Sequence, residues 1–153
     1  MLAEDIWFDM KPACSLAPFL AEEEGASVSQ YFKVRELPEG TTLWREGDSS
    51  QSAVFVVEGK IEVKKETEFA NKHVILGIFG EKSFVGELCL FSGGNNAATA
   101  TALTKTTLLE IDANSFDNLF KEHPVIGGKL LKGMLLGVSW QLRKSFERLV
   151  TIF

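Results

Sequence analysis

Cysteine is almost absent from the chain: among 153 residues there are two, Cys14 and Cys89, too far apart in sequence for a metal or redox spacing. A disulfide scaffold, a zinc module and a CxxC redox site are excluded, and both thiols read as free in a reducing compartment, with one disulfide left open. Acidic residues outnumber basic ones, 21 to 16. The net charge is −5, so attraction to nucleic acid or to an anionic membrane surface is not expected. No apolar run approaches the length of a membrane span, and the N-terminus lacks a basic-then-apolar signal. Glycine-rich phosphate loops of the Walker type, metal-ligand clusters and nucleophile triads are missing too. His73 and His123 have no nucleophile near them in a recognisable motif. The expectation is a cytoplasmic protein that is not an enzyme, holds no metal, and has no direct contact with membrane or nucleic acid.

What the chain does have is three zones. Residues 1–30 mix apolar and acidic residues. "SLAPFLAEEEG" predicts a short helix stopped by Gly25, with Leu16, Phe19 and Leu20 as its buried stripe. Residues 31–112 hold short β-rich segments, among them "YFKVREL", "AVFVVEG", "HVILGIF" and "TTLLEID", separated by Gly, Pro, Asp and Ser. That rhythm predicts a small barrel or jelly roll. Leu43, Val54, Val56, Ile61, Val63, Val74 and Leu76 alternate with other residues and are expected to line its interior. Gly47 and Gly59 fall at turns where a positive φ suits only glycine. Residues 113–153 read as helical, with a break at Pro124 and a long helix over about 125–150. With no linker or repeat, 1–153 reads as a single domain.

The long helix carries Leu131, Leu135, Val138, Leu142 and Leu149 in alternating steps of four and three, with Ser145 filling one gap. This is a coiled-coil seam. Leu130 and Met134 lie beside it and are placed to face the barrel. At ~1.5 Å per residue the helix is about 39 Å long. Two readings stay open: burial against its own domain, or pairing in a homodimer. Gly133 and Gly137 leave room for another backbone or a ligand.

"LPEGTTLWREGD", "VFVVEGKIEV", "FGEKSFVGELCLFSGGNNAATATA" and "LLEIDANSFDNLFKEHP" occur in that order. Together, over about residues 31–146, they resemble the cyclic nucleotide-binding domain of catabolite activator proteins, kinase regulatory subunits and cyclic-nucleotide-gated channels. The resemblance implies a mainly β fold, a double-stranded β-helix (jelly roll) with a phosphate-binding cassette helix, flanking helices and a long C-terminal helix. It implies a ligand site at Gly86, Glu87, Leu88, Cys89, Asn96, Ala97, Ala98 and Thr99. In such a site Glu87 accepts from a ribose hydroxyl, and main-chain N–H groups of the turn after Gly86 face the phosphate. Without a nucleotide, Glu87 would cap the short helix or pair with a lysine. Cys89 reads as a small buried hydrophobe.

The family usually places an arginine immediately before "AAT"; here that position is Asn96. Asparagine donates hydrogen bonds but brings no charge and no guanidinium fork. Weakened, altered or lost binding of cAMP and cGMP is expected, with another small anion as a possible ligand. Lys72, Lys82 and Arg45 are candidate replacement cations. Asn95 and Asn96 also suit a left-handed turn, and "AATATA" also suits a plain strand of small side chains. Activator-type relatives carry a DNA-reading helix-turn-helix after the long helix; this sequence ends at Phe153. Two functions follow: a regulatory sensor acting on a partner copy or an effector protein, or a ligand-free dimerisation or interaction module on the same scaffold.

Overall fold

Alternation along residues 52–58 shows how the molecule is layered. A computed structural model of the chain describes residues 24–152, the side chains of Glu87, Leu88 and Cys89 excepted. The helix expected over "SLAPFLAEEEG", with Leu16, Phe19 and Leu20, and the Cys14 thiol lie outside the described residues. The described chain runs α1 (Glu24–Ser29), β1 (Lys33–Leu37), β2 (Thr42–Trp44), β3 (Ser52–Glu58), β4 (Ile61–Glu66), β5 (His73–Phe79), β6 (Phe84–Val85), α2 (Glu87–Ser92), β7 (Thr99–Ala102), β8 (Thr106–Asp112), α3 (Ala113–Glu122) and α4 (Pro124–Ile152).

The strands form two four-stranded antiparallel sheets, ordered β1-β8-β3-β6 and β2-β7-β4-β5. Successive strand side chains point to opposite faces. Val54 and Val56 on β3 therefore join Leu37, Ile61, Ala100 and Leu108 in a core between the sheets. Ala53 and Phe55 join Phe116, Leu119, Leu130 and Met134 in a second core under the helices. One sheet is thus buried on both faces, which is why β3 reads as a continuous apolar run. This is the jelly roll with flanking helices that the segment pattern predicts.

Several expectations are corrected. Gly25 does not stop a helix; it is buried inside α1. Val74 and Leu76 do not line the interior, being 51% and 43% exposed. β5 is the outer strand of its sheet, and Gly77, paired with Val63, is its buried residue. Leu43 and Val63 are half-buried at the rim of the inner core. Asn95 and Asn96 are not left-handed; the described non-glycine residues with positive φ are Asn71 and Lys82. Gly47 and Gly59 do take positive φ, 85° and 96°. A Cβ on Gly59 would lie 2.5 Å from the Thr106 hydroxyl, so this turn excludes every side chain.

Asp112 starts α3, its carboxylate accepting from the Ser115 N–H at 2.7 Å. His123 ends that helix as its C-cap. α4 begins at Pro124, where the missing N–H is harmless. Its first half buries Ile126, Gly127, Leu130, Gly133 and Met134. Beyond Met134, Leu135, Leu142 and Leu149 are each more than half exposed. The seam is therefore split: Leu135 and Leu149 are exposed, Val138, Leu142 and Ser145 line a groove between α4 and β5, and Leu130 and Met134 are buried against the barrel. No helix among the described residues is long and apolar enough to cross a membrane.

Candidate functional site

Gly86 opens the site. Its φ is 93°, and a Cβ there would stand 3.0 Å from both the Ser52 carbonyl oxygen and the Trp44 ring. Only glycine lets the chain leave β6 in this direction while packed this closely. α2 follows at once, its Leu90 N–H donating to the Gly86 carbonyl at 3.2 Å. Glu87, Leu88 and Cys89 form its first turn. Their side chains are outside the described set, so the sugar-facing role expected of Glu87 stays a proposal.

The loop after α2 is pinned to the β2–β3 turn. Asn96 N–H donates to the Asp48 carbonyl at 2.9 Å, and Gly47 N–H donates to the Asn96 carbonyl at 2.8 Å. Asn96 is buried, 4% exposed, and Ala98 is buried beside it. The Thr99 hydroxyl accepts from the Glu46 N–H at 2.9 Å, so it serves the turn and does not line the cavity. Lys65 adds a clamp: its ammonium reaches the Glu46 carboxylate at 2.6 Å and the Ala97 carbonyl at 2.8 Å. The Lys65 contact, followed by the Glu66 N–H, holds the Glu46 carboxyl below its ordinary range.

Between these parts lies a cavity of about 210 Å³. Gly86, Asn96, Ala97 and Ala98 form its cassette side, and Trp44, Val63, Phe79 and Phe84 its apolar walls. Lys65, Lys72, Lys82 and Arg45 are not on its wall. Lys72 stands over the Phe69 ring at 5.8 Å. A second, open groove of about 820 Å³ runs between β5 and α4. Leu76, Phe79 and Gln141 line both spaces, so the chamber and the groove adjoin. Gln141 donates from its side-chain amide to the Phe84 carbonyl at 3.1 Å.

Four of the eight expected site residues, Gly86, Asn96, Ala97 and Ala98, meet at one cavity. Trp44, Phe79 and Gln141 were missed. Trp44 and Phe79 sit in segments readable only as strands, and nothing in the sequence sets the register that brings Gln141 over the chamber.

Residues 34–123 match the family described as cyclic nucleotide-binding domain. The chain belongs to that family. It is 28% identical over 111 residues to the cyclic AMP receptor protein of Thermus thermophilus. That alignment takes in 72% of this chain and 51% of the relative, so the chain spans about half that protein's length. The crystal structure of the Thermus thermophilus catabolite activator protein superposes with a TM-score of 0.74 at 25% identity, covering 90% of this chain and 62% of that one. A family domain from Methylobacillus flagellatus superposes with a TM-score of 0.86 at 19% identity, over 98% and 84% of the two chains, which shows the shared fold. Among the described residues no group of three or more His, Cys, Asp or Glu side chains is placed to hold a metal ion.

Proposed function

We propose that the chain is a single regulatory, ligand-sensing domain in which binding of cAMP and cGMP is weakened, altered or lost. One observation carries this reading: the cassette is built, yet no lysine or arginine lines its chamber among the described residues. Asn96 occupies the wall where the family resemblance calls for arginine. Lys65, the nearby cation described above, is committed to Glu46 and the Ala97 carbonyl. Losing one member of a buried charge pair costs about 2–5 kcal/mol. At about 1.4 kcal/mol per tenfold, affinity falls by roughly 30-fold to several thousand-fold. Any nucleotide that does bind would meet Glu87 at its sugar and the main chain of Leu88 and Cys89 at its phosphate, with Asn96, Ala97 and Ala98 opposite.

Output runs through α4. The Gln141–Phe84 bond joins the helix to the strand that feeds Gly86, so a change at the cassette shifts the helix. The exposed Leu135, Leu142 and Leu149 fit a second copy of the chain in a paired-helix homodimer, which would pass the change to an effector protein. A ligand moves such an equilibrium only by its differential affinity for the two states.

The second reading is a ligand-free dimerisation module. The small chamber favours it, since about 210 Å³ is below the ~300 Å³ at which ligand pockets begin. Isothermal titration with cAMP and cGMP tests the proposal. From a site near micromolar, the affinity loss above leads to binding between about 30 micromolar and a few millimolar. Micromolar binding would contradict the weakened pocket.

A further inference from the structure

The two adjoining spaces carry opposite chemistry at their two ends. The inner chamber is walled by Trp44, Val63, Phe79, Phe84 and Val85, and its side-chain polarity comes from two neutral amides, Asn96 and Gln141. The charged side chains on the combined lining are Glu81, Lys144, Glu147 and Arg148, all in the outer groove. Lys144 and Arg148 are one helical turn apart and so share a face of α4. Arg148 is held at the mouth by the Leu76 carbonyl and the Ser145 hydroxyl, both at 3.4 Å. Glu147, on the same lining, has its carboxylate 3.5 Å from Arg143 Nε, which offsets its charge.

A charge entering the chamber would lose water and gain no counter-charge, which is strongly unfavourable. An apolar body entering it would gain by burial against aromatic and aliphatic walls. An anion left at the mouth would keep water and meet Lys144 and Arg148. We propose that the two adjoining spaces together take an amphipathic organic anion, its apolar body in the chamber and its carboxylate at the rim beside Arg148. This rests on the sensor reading and gives its altered ligand a chemical class. The orientation is the reverse of one in which a phosphate sits against the cassette. Leu76 spans the two regions, lining both while its carbonyl receives Arg148.

Octanoate, octan-1-ol and cAMP are the probes, titrated calorimetrically into the intact chain, with the thermal midpoint followed in parallel. Octanoate is expected to bind one per chain, at least tenfold tighter than octan-1-ol. Arg148→Ala, at an exposed position, should erase that preference without lowering the unliganded midpoint. Val63→Phe should fill the chamber and abolish binding of both; Ala97→Phe at the exposed cassette rim serves if that variant fails to fold. Equal binding of alcohol and carboxylate, or octanoate binding indifferent to both chamber-filling variants, would overturn the assignment. If cAMP binds while octanoate is silent, this ligand class falls and the regulatory reading stands. Silence from all three probes would remove this ligand class and favour the ligand-free module.

Discussion

The side-chain amide of Gln141 on α4 donates to the main-chain carbonyl of Phe84 on β6 at 3.1 Å. Phe84 is two residues from Gly86, where the chain turns into α2. The contact lies beyond the last apolar anchor of the helix, Met134, after which the seam leucines are exposed. It therefore fastens the distal half of α4 to the cassette by a polar bond where burial no longer does so.

Gln141→Leu keeps the volume and removes the donor. A net loss of about 1 kcal/mol is expected for one such bond. The effect should be local: amide exchange should quicken over residues 138–152 and stay unchanged over 126–134, where Leu130 and Met134 are buried. Uniform quickening along α4 would mean that the bond carries no special role.

The two faces of α4 should separate cleanly under mutation. Leu130 is fully buried in the core under the helices, so Leu130→Ala should cost about 2–5 kcal/mol in denaturant unfolding. Leu142 is 53% exposed, so Leu142→Asp should leave monomer stability within about 0.5 kcal/mol. In sedimentation the wild-type chain should associate as a homodimer and Leu142→Asp should not. A wild-type monomer at high concentration would remove the paired-helix output.

Asp112 sets an acid limit. Its carboxylate caps α3, and the Ser115 N–H holds its pKa below the ordinary 3.8, with Lys33 3.9 Å away as a lesser cause. A depressed folded pKa stabilises fully above the unfolded value, and the contribution is lost as pH falls through the folded value. Asp112→Ala should cost about 1 kcal/mol at neutral pH, and the difference from wild type should vanish as acid protonates the carboxylate. Asp112→Asn should retain most of the cap and flatten that pH dependence. Urea midpoints for the three proteins between neutrality and pH 2.5 check both.

The β layer was legible because its turns are written in residue types with one conformational use. Gly47 and Gly59 take the positive φ that their motifs predict, and Val54, Val56 and Ile61 take the interior. Val74 and Leu76 misled because alternation reports a face, not what covers it, and β5 lies at a sheet edge. Gly25 misled for a different reason. Tertiary packing outweighs the cost of glycine in a helix, roughly 1 kcal/mol, and no local signal records that packing. At the site, Gly86 and Asn96–Ala98 lie in one continuous stretch, whose family resemblance made them readable together. Trp44, Phe79 and Gln141 come from three distant elements, and only the folded register brings them over the same chamber.

Asn96→Arg tests most directly the proposal that the chamber is formed but lacks its cation. Titration of cAMP into wild type and variant, with the thermal midpoint of each recorded, should show binding strengthened by roughly 30-fold or more in the variant, the ratio that about 2 kcal/mol represents. A folded Asn96→Arg protein that binds cAMP no better than wild type would contradict it.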